Sequence, residues 1–128
     1  MIKEAYVSFE VSKLLKEKGF DIPIDCKNWL CCMYDKNENV HWGIYDKNWY
    51  LRITHQMAMQ WLREVHNIMI SPYALSLGYY FEILDLTTRD ITGCKPLYQV
   101  GVPSKECVLN TYEDAVETAL KYCLENVI

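Results

Sequence analysis

The sequence predicts a single α+β domain over residues 1–128, with an antiparallel or mixed sheet of about five strands covered by helices. Three observations predict this class. The chain is 128 residues long, with 51% apolar and 23% charged residues, which is typical of one globular domain with its own core. Apolar residues recur with a helical period in three stretches. Alternating or continuous apolar runs separate those stretches, which gives the order α-β-β-α-β-β-β-α.

The first helix is predicted from about Ser8 to Lys18. Ser8 is a favourable N-cap residue, and Gly19 accepts the left-handed conformation that ends many helices. The apolar stripe of this helix consists of Val11, Leu14 and Leu15.

A β-hairpin is predicted next, because residues 29–34 form a continuous apolar run and residues 40–45 alternate. The turn-forming sequence DKNEN lies between them. The tetrapeptide YDKN occurs at 34–37 and again at 45–48, which predicts the same turn chemistry used twice. On the second strand, one face carries Val40, Trp42 and Ile44, and the other carries His41, Gly43 and Tyr45.

The second helix is predicted over residues 55–66, with Thr54 as its N-cap. Its predicted apolar stripe consists of Ala58, Trp61, Leu62 and Val65. Three further strands are predicted at 68–73, 79–86 and 96–102. The last helix begins at Thr111-Tyr-Glu-Asp114, a start that resembles a capping box.

Composition disfavours two classes of partner. The net charge of −4, with scattered lysines, predicts no nucleic-acid partner, because such binders usually carry a basic patch. The longest uncharged run, 65–81, contains Pro72 and Gly78, so no membrane span is expected. No secretory signal is recognised at the start, and a cytoplasmic location is expected.

The six cysteines predict reduced thiols, because they show neither a CxxC motif nor paired Cys/His ligand spacing. The sequence therefore predicts no metal site and no cofactor. Among the thiols, Cys107 is the candidate for reactivity, because Lys105 lies close to it in the chain.

Two stretches of the chain together carry a resemblance. They are ITHQMAMQWLREVHNIMI, from Ile53 to Ile70, and TYEDAVETAL, from Thr111 to Leu120. In order and spacing they resemble a group of small uncharacterised proteins of gut-bacterial genomes and their phages. The resemblance implies a stand-alone cytoplasmic domain of prophage origin, and it brings no established activity and no catalytic residues.

Histidines are the main candidates for chemistry. His55 and His66 are eleven residues apart on one helix, about 16 Å at 1.5 Å per residue, so they cannot share a metal ion or a proton. Each residue can still act with partners from elsewhere in the fold. The candidate ligand-binding residues are His41, Tyr45, Arg63 and His66; no residue is assigned a catalytic or a metal-binding role.

Two functions remain open. Ten tyrosines and four tryptophans, with the acidic charge and the lack of a catalytic motif, favour a protein-binding module or a self-associating protein over an enzyme. The alternative is a small-ligand-binding protein or enzyme that uses a histidine in an aromatic pocket, with His41 on a strand face that is either open or covered.

Overall fold

The computed structural model describes residues 5–21, 30–75, 78–92 and 109–128. The chain forms two compact units, residues 1–58 and residues 59–128. The described residues contain three α-helices, a π-helical segment and two three-stranded antiparallel sheets, which confirms the α+β class. That residues 1–128 make one domain stays a prediction.

The first unit begins with helix α1, Phe9–Glu17. The Ser8 hydroxyl accepts a hydrogen bond from the Val11 N–H at 3.2 Å, which satisfies one of the donors that a helix start leaves unpaired. Gly19 has φ 95°, the left-handed conformation that a helix end favours. The predicted N-cap and stop residue are both confirmed.

The first sheet has the strand order β2-β1-β3, with β1 at Leu30–Tyr34, β2 at Val40–Ile44 and β3 at Tyr50–Leu51. The β1–β2 hairpin confirms the prediction, with Leu30 opposite Ile44 at its far end. Strand β2 is an edge strand, because within the described residues it pairs with β1 alone.

The repeated tetrapeptide YDKN forms the same turn twice. The Asp35 carboxylate accepts hydrogen bonds from the N–H groups of Asn37 at 2.8 Å and Asn39 at 3.0 Å. The Asp46 carboxylate accepts one from the Asn48 N–H, also at 2.8 Å. In each turn an aspartate bonds the backbone two residues further on, as the sequence predicts.

Arg52 joins the N-terminal segment to the first sheet. The Val7 N–H donates to the Ile53 carbonyl at 2.9 Å. The Arg52 guanidinium lies 4.0 Å from the ring centroid of Tyr6 and donates from Nε to the Tyr34 hydroxyl at 3.3 Å. That hydroxyl donates in turn to the Val7 carbonyl at 2.6 Å. A stacked and hydrogen-bonded guanidinium suits arginine rather than lysine.

Helix α2, His55–His66, has the predicted bounds, and the Thr54 hydroxyl accepts from the backbone three residues on. Its apolar stripe is confirmed at Ala58 and Leu62, both 0% exposed. It is wrong at Val65, which is 59% exposed. Helical periodicity places Val65 on the stripe, but burial also requires a packed neighbour, which periodicity alone does not predict.

The second sheet has the order β4-β5-β6, with β4 at Ile68–Leu75, β5 at Gly78–Asp85 and β6 at Ile91–Thr92. The strands predicted at 68–73 and 79–86 are confirmed, and the one predicted at 96–102 lies outside the described residues. The single five-stranded sheet is not confirmed. Each described strand pairs with strands that are near it in sequence, and no described pair joins β1–β3 to β4–β6.

Helix α3, Tyr112–Tyr122, lies against β4 and β5. The Thr111 hydroxyl accepts from the Asp114 N–H at 3.0 Å, so the predicted N-cap is confirmed. A π-helical segment follows at Cys123–Val127. The fully buried side chains of α3 are Ala115, Val116, Ala119 and Leu120, and Cys123 at the start of the π-helical segment is buried as well.

Candidate functional site

The four candidate ligand-binding residues fall in different units. His41 and Tyr45 belong to residues 1–58, while Arg63 and His66 belong to residues 59–128. Within the first unit, the ring of Trp49 connects the first two: it lies against the His41 ring and also lines a cleft together with Tyr45.

His41 is held by the turn that precedes its own strand. Its Nε2 atom lies 2.7 Å from Oδ2 of Asp35, and its ring lies 4.7 Å from the Trp49 ring, tilted by 33°. The hydrogen bond from His41, together with those from Asn39 and Asn37, lowers the pKa of Asp35 to about 2. The His41 face of β2 is therefore covered in part by Trp49, and the opposite face is the one with exposed apolar side chains.

That opposite face forms an apolar row at the edge of the first sheet. The exposed fractions are 46% for Val40, 60% for Trp42 and 70% for Ile44, and Leu30 beside Ile44 is 69% exposed. Large apolar side chains that are exposed next to one another, rather than singly, are typical of a binding surface.

The backbone N–H and C=O groups of the apolar row on β2 also point toward the edge of the sheet. The Asp35 N–H donates to the Asn39 carbonyl, which makes that pair a hydrogen-bonded one. Because hydrogen-bonded and non-hydrogen-bonded pairs alternate along an antiparallel ladder, the N–H and C=O groups of Val40, Trp42 and Ile44 point away from β1. The same residues thus offer apolar side chains and backbone hydrogen-bonding groups together.

Tyr45 lines a small cleft beside α1. The volume of the cleft is about 20 Å³, enough for one water-sized group. Burial and a hydrogen bond to Asp21 raise the pKa of Tyr45, so the phenol donates to the carboxylate. The cleft is lined by Ser12, Lys16, Phe20, Asp21, Tyr45, Trp49 and Leu51.

Ser12 and Lys16 are the polar residues that α1 contributes to this cleft. Ser12 is 1% exposed, and its hydroxyl has no hydrogen-bond partner among the described residues. The Lys16 ammonium donates to the carbonyls of Lys47 at 2.5 Å and Trp49 at 3.1 Å. Sequence reasoning missed Ser12 and Trp49. The signal for Ser12 was a hydroxyl inside the apolar stripe of α1, next to Val11.

The two candidate residues of the second unit are arranged differently. Arg63 is exposed on α2. The His66 ring meets the Trp61 ring edge-on at 4.7 Å, and its Nε2 atom is buried without a hydrogen-bond partner among the described residues. The structure thus places His66 in an aromatic contact. Helix α2 ends at His66, and Asn67 after it has a left-handed backbone conformation with φ 55°.

Described residues include no group of three or more histidine, cysteine, aspartate or glutamate side chains that could hold a metal ion. Cys32 and Cys123 carry free thiols, and burial raises the pKa of Cys123 to about 12. The reactive-thiol candidate Cys107 lies outside the described residues. None of the described helices has the length and apolar character needed to cross a membrane.

No protein-family model matches the chain, and neither a curated protein nor a solved structure is similar to it at a significant level.

Proposed function

We propose that the protein is a protein-binding module that self-associates through the open edge of β2. The observation that carries the proposal is the row of exposed apolar residues on an edge strand whose outward backbone groups pair with none of the described strands. Addition of a strand to such an edge is a common mode of protein recognition, in which backbone hydrogen bonds give affinity and side chains give specificity.

The order of residues in β2 favours a second copy as the partner. If two β2 strands pair antiparallel about Trp42, Val40 lies opposite Ile44 of the second copy, and Trp42 lies opposite Trp42. His41 then lies opposite Gly43, which keeps the two histidines from facing each other. The strand is therefore complementary to itself, as a twofold interface requires.

Light scattering after size exclusion tests this proposal. We expect a mass near twice the chain's 15.1 kDa for the wild-type protein. Trp42→Lys places a charge at the centre of the row, and we expect it to give a monomer with an unchanged circular dichroism spectrum. Val65→Lys is the matched control, because Val65 is an equally exposed apolar residue on a helix. A monomeric wild type, or a Trp42→Lys variant that stays dimeric, contradicts the proposal.

Crosslinking tests the register. In the proposed pairing, Trp42 lies opposite Trp42 of the second copy. The two Cα atoms are then about 5.5 Å apart, a distance that a disulfide can span. We expect Trp42→Cys to give a reducible dimer on mild oxidation. Val65→Cys controls for the six native cysteines, and equal crosslinking of the two variants refutes this register.

Small-ligand binding is the second candidate function. Trp49 favours it, because one ring contacts His41 and also lines the cleft with Tyr45. A thermal-shift screen against metabolites, nucleotides and metal ions tests it, since a ligand that binds only the folded state raises the melting temperature. No shift across the whole library refutes this function.

A cytoplasmic setting and a prophage origin are further parts of the proposal. The free thiols of Cys32 and Cys123 support a reducing compartment. The resemblance of the α2 and α3 sequences to gut-bacterial and phage proteins supports the origin. Fractionation of the native host, with detection of the chain in the soluble cytoplasmic fraction, tests the location.

A further inference from the structure

We propose that the dimer formed by two β2 strands binds one amphipathic helix of a partner protein, in an apolar groove that crosses its twofold axis. The inference rests on the proposed self-association and names the class of partner for the same surface. One arrangement carries it. On a single face of the first sheet, the chain itself covers the part over β1 and β3, while the part over β2 is exposed.

The covered part of this face lies under the start of α1. Tyr34 is paired with Val40, so their side chains project from the same face of the sheet. The Phe9 ring of α1 meets the Tyr34 ring edge-on, with 5.7 Å between the ring centroids. Cys32, which is paired with Trp42, is only 8% exposed. The β1 side of the face is therefore packed as part of the core of residues 1–58.

The exposed part of the face consists of the apolar row Leu30, Val40, Trp42 and Ile44, whose four side chains are uncharged. Pairing of two β2 strands uses backbone groups in the plane of the sheet, whereas these side chains stand roughly perpendicular to it. They therefore stay accessible from above in the dimer, which joins two copies of the row into one apolar surface. Apolar surfaces of this kind are typical of a site that binds another protein.

The covered parts form the walls of a groove in the dimer. Across the paired edge the strand order is β3-β1-β2-β2-β1-β3, so the two apolar rows lie at the centre with a covered part on either side. The two β1 strands are three strand spacings apart, about 14 Å. This width admits one α-helix, whose diameter with side chains is about 10–12 Å. A second dimer is too broad to reach the floor, because its own covered parts meet the walls.

The length and chemistry of the groove define the helix. The five residues of β2 span about 17 Å, which is the length of about eleven helical residues, or about three turns. The floor offers no charged partner, and a charge buried without one is costly, so the helix face that enters must be apolar. An amphipathic helix that lays its apolar stripe into such a groove is a recurring mode of recognition. The small contact predicts reversible binding in the micromolar range.

Fluorescence anisotropy with a model peptide tests the partner class. The probe is a labelled peptide of about 14 residues, built from leucine, lysine and glutamate, with its leucines at helical spacing. The control peptide has the same composition in a scrambled order and therefore lacks an apolar stripe. We expect saturable binding of the probe at one peptide per two chains, and at least about tenfold weaker binding of the scrambled peptide. Equal binding of the two peptides overturns the proposal.

Leu30→Lys separates the groove from the paired edge. Leu30 lies on β1, so this substitution charges the groove floor and leaves the backbone edge of β2 intact. We expect the variant to remain a dimer in light scattering and to bind the probe at least about tenfold more weakly. Leu30→Ser repeats the test without a charge if Leu30→Lys perturbs the dimer. Val65→Lys, a charge at an exposed apolar residue of α2, is the matched control and should bind normally. Unchanged affinity in both Leu30 variants overturns the groove.

The outcomes separate this inference from the proposed self-association. A wild-type dimer that does not bind the probe overturns the groove, and self-association stands. A wild-type monomer overturns both. A mass that rises from two chains to four with concentration, with no probe bound, shows that a second dimer fills the groove and overturns the helix as its occupant.

Discussion

The Nε2 atom of His41 lies 2.7 Å from Oδ2 of Asp35, and this contact ties the open edge strand to the turn that precedes it. The same aspartate accepts hydrogen bonds from the N–H groups of Asn37 and Asn39. One carboxylate therefore holds both the hairpin turn and the His41 side chain, which lies on the partly covered face of β2.

Acid is expected to weaken the hairpin through Asp35. The pKa of Asp35 is lowered to about 2 in the folded protein, chiefly by the hydrogen bond from His41. Its stabilising contribution is therefore fully present above the unfolded pKa of about 4 and is lost as the pH falls through about 2. We expect Asp35→Asn to flatten the fall in the free energy of unfolding between pH 4 and pH 2, measured by urea denaturation. Asp46→Asn, in the other YDKN turn, serves as the control, and an equal effect of both substitutions argues against a special role for Asp35.

Ser8, the N-cap of α1, and Ser12, within α1, are expected to respond to alanine with opposite changes in stability. Ser8→Ala removes the N-cap bond to Val11 and should lower the free energy of unfolding by about 1 kcal/mol. Ser12→Ala removes a buried hydroxyl that has no partner among the described residues and should raise it by about 1 kcal/mol, with the better helix propensity of alanine in the same direction. Chemical denaturation of the unliganded protein measures both. A loss of stability in Ser12→Ala would show that the hydroxyl has a partner that stabilises the fold.

Two neighbouring apolar residues of α2 are expected to differ sharply. Leu62 is 0% exposed, so Leu62→Ala should cost about 2–5 kcal/mol. Val65 is 59% exposed, so Val65→Ala should change the stability by no more than about 0.5 kcal/mol. Thermal and urea denaturation of the two variants provide the comparison. A large effect at Val65 would mean that a partner covers this residue in solution.

Cys123 is expected to resist alkylation. Burial raises the pKa of its thiol to about 12, and the thiolate is the reactive form. We expect peptide mapping after iodoacetamide treatment at pH 8 to find Cys123 unmodified in the folded protein. In guanidinium chloride the same peptide should be modified fully. Rapid labelling under native conditions would indicate that the π-helical segment Cys123–Val127 opens locally.

Local sequence patterns predicted the elements well because they depend on neighbours in the chain. Ser8, Thr54 and Thr111 each cap the helix that follows, and YDKN forms the same aspartate turn twice. These bonds span two to three residues, so residue type and spacing suffice to predict them. The alternation in 40–45 likewise separated Trp42 from His41, because side chains of a strand point to opposite faces.

Tertiary structure decided which of these faces is covered and which polar groups meet. Periodicity cannot show that Trp49 lies on His41, that Lys16 reaches the carbonyls of Lys47 and Trp49, or that Val65 remains exposed. It also cannot show which strands join one sheet. The sequence by itself determined the α+β class, the helix caps and the hairpin, since short-range geometry controls them. The apolar edge of β2 and the polar cleft beside α1 came only from the folded structure, because contacts between residues distant in the chain create both.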